Sequence, residues 1–491
     1  MIVGLTIRNF KGIKEIVDLP LSAFHVLVGP NGVGKTTFLD AIDFVRECLA
    51  QSPAAAVESR HIADFNNLTW LRQGGTIEIE LWLEISSQFP DAVENLLNYR
   101  LAIRQDAKLG VCVDDEQLRQ FSKSWLPSGQ RLGFSPKVKP KRLLGKAAKG
   151  TDFYSREKGT YQDSFNFGLD KLTLALTPPD EERYPTANAV RRFLMQGVRY
   201  IQLNSPAMRL PCPATRSTDL ELDGTNLARV VGRLLGANGG QGPYWAKPDS
   251  PVAHWTEHLR YALPDLVGIG WARRQADNAE YLILRYENGL EAPSWVLSDG
   301  TLRMLALTIP AFLPPESAVY MVEEPENGVH PKALEIILRS LSSIPGAQML
   351  LASHSPFVVQ QCGVEPLLCF SRDENGAHIT AGLEHHMLKA LDDDLDRLVQ
   401  VWQQTLLDNL DDPIIQANFE LLKAAQRDLI KGFLASKDLP DPVAPEFVAA
   451  VQEALSGLEK IVVTADDIKK ALLTGGSPAT PDDLRKRSSR S

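Results

Sequence analysis

Gly29-Pro30-Asn31-Gly32-Val33-Gly34-Lys35-Thr36 is the stretch on which the fold turns. It fits the phosphate-loop spacing G-x-x-x-x-G-K-[ST], and its flanks suit that role. Upstream, residues 2–7 and 23–28 are short β-rich runs. Downstream, Phe38, Ile42, Val45 and Leu49 recur at helical spacing, which predicts a helix laying one apolar stripe on a sheet. Gly29, Gly32 and Gly34 let backbone N–H groups turn inward around phosphate oxygens, with Pro30, Asn31 and Val33 completing the loop. The helix N-terminus, where Thr37 follows, adds the positive end of its dipole. Lys35 can reach the β- and γ-phosphates, and Thr36 can offer a hydroxyl to Mg²⁺. The loop is expected to bind ATP or GTP.

Three further stretches belong to the same chemistry. Val319-Tyr320-Met321-Val322-Glu323-Glu324-Pro325-Glu326 is an apolar strand ending in acids, which puts carboxylates at a sheet's C-terminal edge. One acid can hold the magnesium shell, and the next can orient or deprotonate an attacking water. Leu297-Ser298-Asp299-Gly300-Thr301 precedes a helical run and reads either as a small anion site or as an ordinary Ser helix cap. Leu350-Leu351-Ala352-Ser353-His354-Ser355 is a strand ending in a histidine placed to sense a γ-phosphate.

Between these landmarks the periodicity changes. Residues 75–180 are strand-like: TIEIELWLEI alternates, YRLAIRQDAKLGVCV reads as two strands about a turn, and KLTLALT alternates again, so an antiparallel β insertion is expected. Helices are expected near 226–235, 252–262 and 331–341, and buried strands at 318–322 and 348–352. Strand, helix, strand with short links is a parallel α/β unit. Beyond His385, Leu388, Leu391, Leu395, Leu398 and Trp402 predict a bundle helix, and the polar end of the chain predicts disorder. The expected division is therefore 1–95 and 196–385 for a two-part α/β head, 96–195 for the β-rich insertion, 386–473 for a helical region and 474–491 for a tail.

In this order GPNGVGKT, LSDGT, VYMVEEPENGVHP and LLASHS resemble the ABC-type P-loop ATPase head, and more closely the AAA-named, OLD/RecF/SMC-like branch found in bacterial DNA repair and phage defence. IRNFKGI, YIQLNSPAMRLP and LDGTNLARVV are similar to that branch as well. The resemblance implies ATP and Mg²⁺ as ligands, ATP hydrolysis, and two subunits closing over the nucleotide. It assigns Lys35 and Thr36 to phosphate and Mg²⁺, and Glu323 to the metal side, where many relatives carry Asp. Glu324 becomes the catalytic carboxylate, Ser298 and Gly300 the contacts to the other subunit's nucleotide, and His354 the switch histidine. Gln51, Gln73 and Gln88 all remain candidates for the branch's Q-loop glutamine. OLD-type nucleases continue into a metal-binding TOPRIM domain. Here Lys460–Asp467 suits a helix cap and Asp392 to Asp394 lies within the helical repeat, so nuclease chemistry is not expected in this chain. The expected role is sensor or motor of an anti-phage system with a separately encoded effector. A DNA-repair engine and a nucleotide-gated scaffold with negligible hydrolysis stay open.

Composition bounds the remainder. Lys and Arg number 52 against 61 Asp and Glu, a net charge of −9, which excludes a polybasic nucleic-acid coat. Arg8 and Lys11 interrupt the start where a secretory signal would be apolar, no run is long enough to span a membrane, and five scattered cysteines suit a reducing cytoplasm. Residues 131–158 go against the overall balance, with nine Lys/Arg against two acids and Phe134, Phe153 and Tyr154 interleaved. They form either a DNA or RNA contact or a solvated loop. His254 and His258, one helical turn apart, read as polar residues on a helix face rather than a metal site.

Overall fold

A computed structural model describes residues 1–62, 64–85, 95–122, 140–146, 150–156, 161–237, 240–374 and 376–384. All belong to the first of two units, Met1–Lys389. The helical region and tail expected after His385 lie outside the described residues.

The chain opens with β1 (Ile2–Phe10), β2 (Ile13–Pro20) and β3 (Phe24–Val28), then α1 (Lys35–Ala50) and α2 (Pro53–Glu58). Next come β4 (Ile77–Glu84), β5 (Asn95–Asp106), β6 (Gly110–Ser122), β7 (Lys141–Lys146), β8 (Thr151–Ser155) and β9 (Gln162–Asn166). The middle of the chain supplies α3 (Pro185–Arg192), β10 (Val198–Ile201), α4 (Ser205–Met208), α5 (Leu227–Leu234), β11 (Tyr244–Trp245) and α6 (Pro251–Leu259). Then follow β12 (Leu266–Arg273), β13 (Glu280–Tyr286), β14 (Glu291–Pro293), α7 (Asp299–Thr308) and β15 (Val319–Glu323). Last are α8 (Pro331–Ser342), β16 (Gln348–Ala352), α9 (Pro356–Cys362), β17 (Leu367–Asp373) and β18 (Gly376–Ala381).

These strands build three sheets. The central one runs β10-β15-β16-β3-β17-β18, parallel except for β18. Because side chains alternate across a strand, Val319, Met321 and Leu350 enter one core while Tyr320, Val322 and Leu351 enter another. A sheet covered on both faces is what the unbroken apolar runs of β15 and β16 require. An antiparallel sheet of eight strands, β2-β1-β4-β5-β6-β7-β8-β9, closes over α1, and a smaller one, β11-β12-β13-β14, packs with α5 and α6 on the far side. The expected β insertion thus does not stand apart: β4 to β9 continue the sheet begun by β1 and β2.

Helix α1 is buried more widely than one stripe predicts, with Leu39, Phe44 and Cys48 inside beside Phe38, Ile42, Val45 and Leu49. It lies between two sheets, and even Asp40 and Asp43 on it are buried. Arg60 meets Asp40 at 2.7 Å, Arg46 meets Asp43 at 2.6 Å, and Arg60 also bonds Glu47.

One strand expectation fails. KLTLALT (171–177) forms a turn, and its burial does not alternate: Leu172, Thr173, Leu174 and Thr177 are buried while Leu176 is exposed. The N–H groups that a ladder would use go instead to the fully buried Glu116 on β6, at 2.6 Å from Thr173 and 2.9 Å from Leu174. Tyr99 donates a third bond to the same carboxylate at 2.9 Å. Burial, its largest influence, still pushes the Glu116 carboxyl above its ordinary pKa.

The structure also withdraws part of the basic segment from solvent. Lys146 is buried, with its ammonium 2.6 Å from Asp152 and 2.8 Å from the Gly168 carbonyl. Tyr154 is a core residue donating to the Thr173 carbonyl at 2.6 Å, and Arg156 is held by Asp163 at 2.7 Å. Arg131, Phe134, Lys137, Lys139, Lys149 and Lys158 lie outside the described residues. No helix among the described residues is long and apolar enough to cross a membrane.

Removing one member of a buried ion pair leaves the other charge uncompensated. Asp152→Ala is expected to lower the unfolding free energy by about 3–5 kcal/mol, read from urea denaturation.

Candidate active site

The register of the central sheet assembles the site. β3 lies between β16 and β17, with Leu27 opposite both Ala352 and Leu368, and Ala352 in turn opposite Glu323. Strand ends in register put the phosphate loop, the acids after β15 and the histidine after β16 on one edge, as expected from the sequence. Main-chain bonds carry the register past the strands, from Glu324 N–H to the Ala352 carbonyl at 2.8 Å and from Ser353 N–H to the Leu27 carbonyl at 3.0 Å. Gly29 is required where the loop leaves β3: its φ is +145°, and a Cβ there would sit 2.4 Å from the Phe370 carbonyl of β17.

An open cleft of about 140 Å³ is lined by Asn31, Gly32, Gly34, Lys35, Thr36, Thr37, Glu323 and Glu324. Val33 is buried and anchors the loop. The Lys35 ammonium donates to the carbonyls of Gly29 at 2.6 Å and Pro30 at 2.9 Å. Burial lowers its pKa, against the opposing pull of Glu324, Glu323 and Glu326. A phosphate arriving in the cleft would therefore find a cation partly stripped of water and already aimed along the loop.

The acids are set differently from one another. Glu323 ends β15 with Oε1 buried and unpartnered, and burial together with this nearby carboxylate raises the pKa of the Tyr200 hydroxyl. An unpaired buried carboxylate oxygen beside the Thr36 hydroxyl is an all-oxygen donor set that fits a hard divalent cation such as Mg²⁺. Glu324 occupies the left-handed region at φ 46°, a costly conformation for a side chain with a Cβ and one that concentrates at functional turns. Its carboxylate accepts a bond from Asn327, its carbonyl accepts from Arg303 at 3.3 Å, and His354 Nδ1 lies 3.6 Å from Oε1.

Ser298 and Gly300 do not line this cleft. Ser298 caps α7, its hydroxyl accepting the Thr301 N–H at 3.1 Å, and Gly300 touches the acid-bearing turn, since a Cβ there would lie 2.6 Å from the Gly328 carbonyl. Their neighbours Asp299 and Arg303 border a separate cleft with Gln202, Asn204 and Gly328. Arg303, Asn327 and Tyr200 were not singled out from the sequence. Their only signal there is proximity to the motifs: Asn327 bonds Glu324 within the same turn, Arg303 reaches that turn from α7, and Tyr200 lies on the neighbouring strand β10. Gln51 and Gln73 are likewise not among the cleft's lining residues, and Gln88 lies outside the described residues. His258 is occupied elsewhere, 2.8 Å from the Ser340 hydroxyl.

Two sequence families match the chain. The AAA ATPase domain family matches residues 1–108, and the family described as "AAA domain, putative AbiEii toxin, Type IV TA system" matches residues 215–360. The chain is similar to an OLD nuclease of Thermus scotoductus, 24% identical over 409 residues. That match takes in 80% of this chain and 66% of the relative, so the chain spans just under two thirds of the relative's length. Among solved structures, an SMC head bound to the C-winged helix domain of ScpA aligns with a TM-score of 0.45 at 13% identity, over 77% of this chain and 96% of that one. The SMC head domain from Thermotoga maritima aligns with a TM-score of 0.36 at 11% identity, over 77% and 98%.

The close approach of Gly300 to Gly328 can be checked directly. Gly300→Ala is expected to cost about 1–3 kcal/mol of stability, the usual penalty of overpacking, seen as a lower melting temperature.

Proposed function

We propose that this AAA-type ATPase of the OLD/SMC-like branch binds ATP with Mg²⁺, hydrolyses it, and closes on a second copy of itself while ATP is bound. In this proposal it is the sensor or motor of a bacterial anti-phage system, acting in the cytoplasm with a separately encoded effector. The observation that supports hydrolysis best is the convergence of Lys35, Thr36, Glu323 and Glu324 on one cleft.

Phosphoryl transfer to water asks mainly for positioning and charge stabilisation. Lys35 exchanges its two loop carbonyls for phosphate oxygens and neutralises developing charge. Glu324, its carboxylate held by Asn327 on one oxygen and near His354 on the other, orients the water and takes its proton. Thr36 and Glu323 would hold Mg²⁺, which when bound would supply positive charge against the phosphate oxygens. Ser298 and Gly300 lie away from their own phosphate loop, which supports their meeting the nucleotide of a second copy. The likeness to an OLD nuclease is compatible with a role in defence or in repair. Five unpaired cysteines suit the cytoplasm, and the basic stretch around 131–158 is a candidate contact for DNA as trigger.

Specific ATP turnover is expected to rise with protein concentration, as a site completed by two copies requires, and added duplex DNA is expected to raise it further. A flat, near-zero rate would favour a nucleotide-gated scaffold. Lys35→Ala should lose nucleotide binding in a fluorescent-ATP titration. Glu324→Gln should keep binding, accumulate as a dimer in light scattering, and turn over about 10²–10⁴-fold more slowly. Wild-type turnover by Glu324→Gln would sink the catalytic assignment.

A further inference from the structure

One carboxylate joins the turn after β15 to the turn after β16 and has no role in the account so far. Glu326 is almost buried, its side chain 12% exposed. Its Oε1 accepts from the Ser353 hydroxyl at 2.6 Å and from the His354 N–H at 3.3 Å. Ser353 is itself fully buried, and its oxygen accepts the Ser355 N–H at 3.0 Å. The same Oε1 lies 3.7 Å from His354 Nδ1, and Glu324 Oε1 lies 3.6 Å from that nitrogen. Glu326 Oε2 is buried and has no hydrogen-bond partner.

A buried carboxylate with an unpaired oxygen costs stability. A neutral amide at this position would keep the bond to Ser353 just as well. What the charge adds is a pull on a proton at His354 Nδ1. Which ring nitrogen of an imidazole carries the proton is set by the groups that face it, and here two carboxylates face the same one.

We infer that Glu326 is a positioning residue for His354: together with Glu324 it keeps the ring proton on Nδ1 and leaves Nε2 as the nitrogen available to the nucleotide. This rests on the proposed function for its consequence in turnover, but not for the state of the ring. Glu324 has a second task as the water-orienting base, so Glu326 is the carboxylate dedicated to the histidine. The distances to Nδ1, 3.6 and 3.7 Å, are longer than direct hydrogen bonds, so the two carboxylates act on the ring proton through their charge.

The test uses the full chain with isotope-labelled histidine, recording ring-nitrogen spectra at alkaline pH, where a free imidazole is neutral. His354→Asn identifies the His354 signals. The wild type should show the Nδ1–H tautomer, and both Glu326→Gln and Glu326→Ala should shift it toward Nε2–H. In Glu326→Gln, kcat should fall roughly 10- to 100-fold, the size typical for the outer partner of a working imidazole, while KM for ATP changes less than about twofold. An unchanged tautomer in the two variants overturns the inference, as does a loss of nucleotide binding in step with turnover. Because the ring spectrum needs no hydrolysis, a wild type without turnover that still loses the Nδ1–H tautomer on substitution would sink the ATPase proposal and keep this one.

Discussion

The parallel pairing of β3 with β16 on one side and β17 on the other is the constraint from which the site follows. Parallel strands in register end at the same edge, so each turn that leaves them opens onto the same space. The phosphate loop, the Glu323–Glu324 turn and the His354 turn come from distant parts of the chain, yet none needs a special loop to find the others. Gln348 reinforces this arrangement, since its buried amide bonds Ile2 and Ser22 and ties β16 to the very start of the chain.

Charge is handled in two ways within one molecule. In the large antiparallel sheet two fully buried carboxylates are closed off: Glu116 has three donors, and Asp152 takes Lys146, Thr173 and the Phe167 N–H. At the edge of the parallel sheet the accounts stay open. Glu323 and Glu326 each retain an unpartnered oxygen, and Lys35 keeps its charge while partly desolvated. Fully satisfied networks give rigidity, whereas incomplete ones mark the place where ligand or motion completes them. The rigid sheet therefore holds α1 from one side while the cleft at its N-terminus stays adaptable.

Local chemistry was legible in the sequence and long-range polar pairing was not. The phosphate loop, the acidic strand end and the helix of α8 each carry their signal within a dozen residues, and the structure places them as read. KLTLALT shows the limit: its alternation suggests a strand, but Leu176 is exposed, Thr173 is buried, and nothing local reveals that Glu116 takes the backbone N–H groups of Thr173 and Leu174. The basic segment shows it again, because counting charges cannot tell that Lys146 is spent on Asp152. In helix α1 the sequence shows the apolar stripe of Phe38, Ile42, Val45 and Leu49, and the burial of Asp40 and Asp43 is explained only by the Arg60 and Arg46 set against them.

The Gln348 latch has a consequence for synthesis on the ribosome. Ile2 and Gln348 stand 346 positions apart, and the neighbours of β3 in the central sheet are made at the end of the same interval. The antiparallel strands from β4 to β9 can pair with β1 and β2 as they emerge, each closing on a recent neighbour. The phosphate loop, made before them, must wait with its flanking strand unpaired until β16 and β17 leave the tunnel. Nascent chains shorter than that would carry an exposed apolar strand edge, the kind of surface that chaperones bind and that aggregates when they do not. Nucleotide affinity would then appear late and abruptly in translation, as a marker that the parallel core has closed.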